Sequence, residues 1–475
     1  MKTEVVLLHS NDIHSRLENA AKIASYIAEE RRMYGSSRVL AVDVGDHMDR
    51  MRAETEGSDG LVNIALLNSA GYEAVTIGNN EGLTYSAEDL HEAYYNHGRF
   101  KVVCANLVDQ STGELPEWAV PSTVLVKKNL TIGLIGVTAR FTDFYTLMGW
   151  EVSDPLETIQ QQVKRLREQV DVIVVMSHLG LPMDRRIAEE LHGVDLILGG
   201  HTHHLLEEPL VIGDTTICAA GKFGEQLGRV EIGLDPITSR PLFRASCVPV
   251  AALEEQPEAA AIISSFKEAG DRRLSRIITR LSAPLPASTE RESPLGNLLA
   301  AGLRRWTDAE IGIVNTGQLL GGLPSGEVTA GQLHALCPSP INPCRLLLSG
   351  TNLRAALEQS LLCEYTRKPI KGFGFRGEVL GGLAVDGLTI AYDLKRPPLE
   401  RITSVLVNGR ELVNEAVYSV GTIDMFTFRV GYETLSLGAQ PKFFLPEFIR
   451  DVLAEELQNE DLLRQCQLRR WNDGE

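Results

Sequence analysis

The sequence predicts an α/β domain followed by a smaller α+β domain. Three observations carry this. Over the first half, short β-branched runs alternate with amphipathic, charge-rich stretches, as strands and crossover helices do. Past residue 281 the cues change to Gly-rich turns, isolated helices and period-two segments. The chain has 475 residues, enough for more than one core at ~150 residues per domain. With 44% hydrophobic and 23% charged residues, the composition excludes disordered, collagenous and disulfide-scaffold classes.

Segments 4–8, 38–42, 74–77, 101–104, 130–137, 170–176 and 196–198 read as buried strands, being apolar, β-branched and bounded by polar or Gly clusters. Helical periodicity covers 18–34, 60–69, 86–96, 155–169 and 184–191. Asp154-Pro155 marks a helix start, an N-cap acid with proline at the first helical position. Segment 241–250 closes this domain, which spans 1–250. A polar helix over 254–276 forms the core of a connector, 251–280. The second domain, 281–475, carries helices 293–306 and 350–361, period-two segments 383–392 and 402–407, and an amphipathic tail helix at 446–467.

Lys plus Arg number 46 and Asp plus Glu 63, a net charge of −17. Such a chain repels nucleic acid and anionic lipid unless it bears a separate basic face. Its Arg doublets, such as Arg31–Arg32 and Arg304–Arg305, are scattered along the chain, so neither a nucleic-acid nor a membrane partner is expected, and no protein partner is implied. No run approaches the ~18 apolar residues that span a bilayer. The segment MKTEVVLLHS lacks the long apolar stretch of a signal peptide, and the seven cysteines are an odd, dispersed set without C-x-x-C. The expected location is the cytoplasm.

The chemistry collects where strands end. Strand 4–8 leads into Asp12 and His14, strand 38–42 into Asp46 and His47, and strand 74–77 into Asn79, Asn80 and Glu81. Strand 170–176 leads into His178, and strand 196–198 into His201 and His203. In a parallel sheet those ends share one edge. Imidazole with carboxylate and amide oxygen suits Mn, Zn, Fe, Co or Ni, and D-x-H and H-x-H spacing turns alternate side chains to one side. Seven such ligands are too many for one ion and fit two divalent ions that share a carboxylate. Two such ions about 3.5–4 Å apart serve in-line phosphoryl displacement by an activated water.

The series D-x-H, G-D, G-N-x-E, S-H and G-H-x-H resembles the calcineurin-like metallophosphoesterases, and within them the 5′-nucleotidase family. Residues 7–16 (LLHSNDIHSR), 71–81 (GYEAVTIGNNE) and 199–203 carry the likeness in the first domain. Residues 382–393 (GLAVDGLTIAYD) and 418–432 (YSVGTIDMFTFRVGY) carry it in the second. The resemblance implies a two-sheet β-sandwich flanked by helices, joined to a C-terminal 5′-nucleotidase-type specificity domain. It implies that Asp12, His14, Asp46 and His203 hold one metal and that Asp46, Asn79, His178 and His201 hold the other, with Asp46 as the bridge.

The chain departs from the family at its proton donor. The family motif is G-N-H-E with an Asp two positions beyond the Glu; here Asn80 stands for the His and Leu83 for the Asp. Asn80 donates a hydrogen bond but transfers no proton, and general acid help is worth ~10²–10⁴ in rate. The substitution resembles a signal-less bacterial branch of the family. His47 and His204 are the candidate replacement acids, His47 first, and Arg140 is a candidate phosphate contact. In the second domain, residues 315–320 keep Asn315 of the family's Asn-Gly-Gly stretch but lose its terminal Arg. Phe426 or Phe428, with Phe373 or Phe375 of the loop GFGFRG, are the candidate rings to stack on a base, and Arg345 or Arg376 the candidate cation. The expected activity is metal-dependent hydrolysis of a phosphate ester or anhydride in a nucleotide or related phosphorylated small molecule. The rival is a catalytically weak sensor that binds nucleotide and metal.

Overall fold

The strand Val5–Ser10 (VVLLHS) is buried along its whole length. A strand apolar on both faces needs cover on both sides. Val5 and Leu7 pack against Ile132, Leu134, Val172, Val174 and Leu196 of a second sheet, while Val6 and Leu8 pack against the helices Leu17–Tyr34 and Leu61–Ala70. The computed structural model describes residues 2–474, and the chain divides into two compact units, Met1–Gly270 and Asp271–Glu475.

In the first unit, Val5–Ser10 sits inside a seven-stranded sheet. Its order is Pro241–Pro249, Gln226–Leu234, Val5–Ser10, Val39–Asp43, Ala74–Val75, Lys101–Val103, Ala119–Val120. The second sheet has six strands in the order Leu210–Ile212, Thr215–Ala219, Leu196–Gly199, Val172–His178, Leu130–Thr138, Ser122–Lys127. From Val5–Ser10 to Ala119–Val120 every neighbour is parallel, and so are the four strands from Thr215–Ala219 to Leu130–Thr138. The outer face of the second sheet, with Ile135, Val137, Ile173, Val175 and Ile197, packs on the helices Pro155–Leu166 and Leu181–Glu190. The unit is therefore a two-sheet sandwich flanked by helices. Strand–helix alternation alone does not distinguish this from a single parallel sheet.

The two sheets pinch together near their C-terminal edges. Ala105 N–H donates to Gly136 O at 2.8 Å, and the Asn106 side chain bonds both the N–H and the C=O of Thr138 at 2.9 Å. A Cβ at Gly136 would meet Val103 O at 1.8 Å, so only glycine permits this approach. The helix Pro155–Leu166 begins as its sequence announces, with Asp154 Oδ1 accepting from Leu156 N–H at 3.0 Å and Glu157 N–H at 3.2 Å. The expected helix over 86–96 divides into Ala87–His91 and a π-helical turn, Glu92–His97.

The second unit is α+β. A five-stranded sheet runs Leu383–Asp386, Ile311–Asn315, Val417–Ile423, Pro343–Ser349, Ala439–Phe443, and a four-stranded one runs Arg410–Glu411, Ile402–Val407, Leu388–Tyr392, Trp471–Asp473. Segment 383–392 reads as one strand in sequence but breaks at Gly387, whose φ of +74° turns the chain from the first sheet into the second. The tail is two helices, Ile449–Glu456 and Glu460–Gln465, because Asn459 caps the second with its Oδ1. The polar helix expected at 254–276 is Pro257–Leu274. No helix among the described residues is long and apolar enough to cross a membrane, and all seven cysteines are free.

The pinch at Gly136 is open to a direct test. Gly136→Ala places a methyl on a carbonyl oxygen and should destabilise the first unit by about 3 kcal/mol. Gly133→Ala, whose Cβ meets only flexible side-chain atoms beginning at 3.2 Å, should cost much less. Urea unfolding of the two variants reads the difference.

Candidate functional site

Five strand ends converge on one edge of the first unit, and they bring Asp12, His14, Asp46, His178, His201 and His203 together. Asp12, His14 and His203 each offer an atom within 4.8 Å of the others, and so do Asp12, Asp46 and His178. His203 Nε2 lies 3.5 Å and His14 Nε2 3.8 Å from Asp12 Oδ1. His178 Nε2 lies 3.4 Å from Asp46 Oδ1, and His14 Nε2 lies 3.9 Å from Asp46 Oδ2. The His14 and His203 Nε2 atoms are 3.1 Å apart, and the His178 and His201 rings lie 5.2 Å apart. Asp12 is thus common to both groups, while Asp46 reaches both His178 and His14. Two buried polar atoms at this edge have no hydrogen-bond partner, His178 Nε2 and Asn79 Oδ1. Buried polar atoms left without a hydrogen bond are costly, and a divalent cation on the nitrogen and oxygen would meet both. The residues present fit that group.

The backbone here is unusual. Asp12, His14, Asp46, His201 and His203 all have φ between +47° and +71°, the left-handed region, which non-glycine residues seldom adopt and which costs on the order of 1 kcal/mol or more per residue. Hydrogen bonds hold it in place. Asp12 N–H donates to Gly45 O and His14 N–H to Asp46 O, both at 2.9 Å, lacing the first ligand loop to the second. Glu81 accepts from the N–H groups of Asp46 (3.0 Å), Met48 (2.8 Å) and Gly78 (2.8 Å), tying the second loop to the third. His178 Nδ1 pairs with Val44 O at 2.8 Å, which aims Nε2 at the centre.

Burial would raise the Asp46 carboxyl, but the adjoining His178 outweighs it and holds Asp46 well below the carboxylate range. Asp12 is likewise held low against burial, chiefly by His203. Burial, with the charge of His178 behind it, pushes His201 down to about 4 and keeps it neutral, the form that ligates metal. Glu81 is pushed up to about 7, by burial first and then by Asp46.

Asn80 lies inside the cluster. Its N–H donates to Asp46 Oδ1 at 2.8 Å, and its side-chain Nδ2 is 2.9 Å from His14 Nδ1 and 3.2 Å from Met48 O. Leu83 packs with the apolar core. His47 is set differently from the expectation. It is 4% exposed, its Nδ1 is 3.1 Å from Asn63 Nδ2, and burial followed by the nearby His14 depresses it to about 3. An imidazole so held carries no extra proton to give. Arg140 also lies apart, in a 3.5 Å surface ion pair with Asp154. Its neighbour Phe141 instead meets His201, ring centroids 5.7 Å apart.

The sequence reading assigned no role to Glu81, Asn11, Phe141 or Phe223. Glu81 carried a signal, since it stands three residues past Gly78, the position from which a helix's glutamate accepts the N-cap N–H. The two rings carried none.

In the second unit the candidates separate. Phe373 and Phe428 are 51% and 36% exposed, with ring centroids 6.0 Å apart and planes at 30°. Phe375 and Phe426 are core residues, so the expectation that either faces a ligand is corrected. Asn315 is buried, its Nδ2 donating to Leu380 O at 2.7 Å and its Oδ1 accepting from Gln318. Arg345 Nη1 donates to the carbonyls of Thr307 and Asp308 at 3.3 and 3.4 Å, which braces that turn. Arg376 donates its backbone N–H to Ser339 Oγ in another loop at 3.1 Å and its guanidinium to Phe375 O at 3.3 Å.

The family model described as calcineurin-like phosphoesterase matches residues 5–205, and that of the 5′-nucleotidase C-terminal domain matches residues 276–434. A Bacillus subtilis (strain 168) protein named "Uncharacterized metallophosphoesterase YunD" is 36% identical over 462 residues, covering 96% of this chain and 100% of that one. This chain belongs to the calcineurin-like phosphoesterases that carry a 5′-nucleotidase C-terminal domain. Human 5′-nucleotidase is 25% identical over 464 residues, 85% of this chain and 78% of that one. Among solved structures, a putative 5′-nucleotidase from Staphylococcus aureus in complex with alpha-ketoglutarate has the same fold, with a TM-score of 0.71 at 17% identity, covering 99% and 100% of the two chains. The family hydrolyses nucleotide phosphoesters and uses divalent metals.

Two outcomes follow from this phosphoesterase geometry. Glu81→Gln leaves one backbone N–H facing an amide donor, and should cost about 1–3 kcal/mol. Thermal unfolding in chelator separates that loss from any effect of metal. Asp424, at the head of the turn bearing Phe428, is pushed by burial up to about 7 from its ordinary 3.8. The folded chain therefore holds this proton where the unfolded chain releases it, and stability is lost as pH rises from about 4 through 7. Asp424→Asn should raise the melting temperature at pH 8 relative to wild type, and raise it more there than at pH 5.

Proposed function

We propose that this phosphoesterase hydrolyses phosphate ester or anhydride bonds in nucleotides or related phosphorylated small molecules, using two divalent ions. The observation that carries the proposal is the pair of overlapping ligand groups around Asp12 and Asp46, with His178 Nε2 and Asn79 Oδ1 buried and unmet. Asp12, His14, Asp46 and His203 would hold one ion and Asp46, Asn79, His178 and His201 the other, and the nitrogen–oxygen donor set suits Mn, Zn, Fe, Co or Ni. When bound, divalent ions supply Lewis-acid charge for a phosphoryl group and make a water acidic enough to attack it. The names of the relatives support nucleotide substrates, and the cytoplasm is the proposed location.

The chain's own part is positioning. Val44 O and Asn80 orient His178 and His14, and the backbone N–H of His201 fixes the Asp12 carboxylate at 2.9 and 3.1 Å. Phe373 and Phe428 are the exposed rings able to stack on a base, worth about 0.5–1.5 kcal/mol per contact beyond burial. Asn80 transfers no proton, so a leaving group already stable as an anion is favoured. Asn80 also favours the second reading, a weakly active nucleotide or metal sensor; turnover decides between them.

Asp46→Asn should lose bound metal by elemental analysis and lose turnover together. Wild type should favour a nucleoside diphosphate anhydride over AMP by about tenfold or more in kcat/KM, ~1.4 kcal/mol of barrier per tenfold. Equal rates on the two substrates would refute the argument from Asn80.

A further inference from the structure

The loop 220–224 follows the strand Thr215–Ala219 and is fastened to the first ligand loop and the helix after it by four hydrogen bonds. Ala220 N–H donates to Asn11 Oδ1 (3.1 Å), and Asn11 Nδ2 donates to Gly221 O (2.7 Å). Phe223 N–H donates to Asp12 O (2.7 Å), and Asn19 Nδ2 donates to Phe223 O (2.8 Å). They hold Phe223 at φ +61°, a conformation that a bulky side chain seldom takes. The ring so placed meets His14 edge-on, centroids 5.8 Å apart, and lies 6.5 Å from His203.

Two cations stand over this same ring. The Arg16 guanidinium carbon is 4.7 Å and Lys222 Nζ 4.6 Å from its centroid. Two like charges on one ring repel, and the ring's negative face offsets only part of that. In a chain of net charge −17 a carboxylate neighbour would be easy to supply. Yet among the described residues neither cation is in an ion pair; Arg16 acts on Glu18 only at longer range. A rigid loop thus presents two unneutralised cations beside the metal-ligand histidines. Two cations so placed are suited to bind an anion.

We infer that Arg16 and Lys222, carried on Phe223, form a subsite for a second phosphate, so that the substrate class is a diphosphate. The inference rests on the hydrolase reading and deepens it. With ions held by the Asp12 and Asp46 groups, water's oxygen would bond to the phosphorus placed there, and the P–O–P bridge would break with its electron pair on the departing phosphate. Water's proton passes to solvent. Charge on that departing oxygen rises where Arg16, through its forked N–H groups, and Lys222, as a point charge, can stabilise it. No proton is needed, which agrees with Asn80 in the cluster. A monophosphate has no group to place there.

The test is calorimetric binding of uncleavable ligands to the metal-loaded protein: the α,β-methylene analogue of ADP, the phosphonate analogue of AMP, and inorganic methylenediphosphonate. Arg16→Gln with Lys222→Gln should weaken the ADP analogue about tenfold or more and the AMP analogue by less than about threefold. Arg16→Lys with Lys222→Arg, which keeps both charges, should restore most of the loss. Methylenediphosphonate showing the same dependence identifies free diphosphate as a ligand; dependence only with the base attached identifies a nucleotide. Equal weakening of both nucleotide analogues, or no weakening, overturns the subsite. Wild type that binds in the expected way yet hydrolyses nothing would sink the hydrolase reading and leave the subsite standing. Hydrolysis with unchanged affinities does the reverse.

Discussion

Asp12 and Asp46 are carboxylates buried almost completely at the meeting point of two sheets, and the rest of the first unit is arranged around that constraint. A buried carboxylate has to be offset by groups within hydrogen-bond reach. Here the offset comes from backbone N–H groups of His201 and Asn80, from Asn11, and from imidazoles. Each donor arrives on a different loop. The loops can reach one place only because parallel strands end at the same edge, and because the two sheets close to hydrogen-bond distance between Ala105 and Gly136. Glu81 extends the same logic one layer outward, spending its oxygens on three N–H groups of two loops.

Much of this was legible. Asp12, His14, Asp46, Asn79, His178, His201 and His203 stand at strand ends in the sequence, and the ends of parallel strands are local facts joined by one global rule. The second sheet's edge strands were not legible. Ser122–Lys127 alternates between half-buried and exposed residues, and its apolar signal is correspondingly thin. Nor was the fate of His47. A histidine next to a ligand reads as catalytic in one dimension, and only the packing of Asn63 against its ring reveals a buried, neutral group. Phe223 was invisible for a related reason: its loop has no periodicity, and its importance comes from a contact with His14 across more than two hundred residues of chain.

In the second unit the sequence pointed to four phenylalanines without separating them, because ring count says nothing about exposure. Packing separates them. Phe375 and Phe426 fill the core, and the alternation along each short segment turns Phe373 and Phe428 outward. Asn315, in the stretch that resembles the family's Asn-Gly-Gly motif, engages its amide with Leu380 O and Gln318, and Arg345 donates to the carbonyls of Thr307 and Asp308. Motif likeness locates the segment here, and hydrogen-bond accounting decides what each side chain does.

The left-handed backbone at positions 12, 14, 46, 201 and 203 has an evolutionary consequence. Outside glycine, the side chains that tolerate this conformation best are Asn, Asp and His, which are also the side chains that hold a metal. Chain geometry and coordination chemistry therefore select from one short alphabet. A descendant that exchanged Asp12 for Asn would keep the bend and the loop, and it would lose the charge. In such a lineage the outline of the centre would outlive its reactivity, and silent descendants would be told from working ones by their ions, not by their shape.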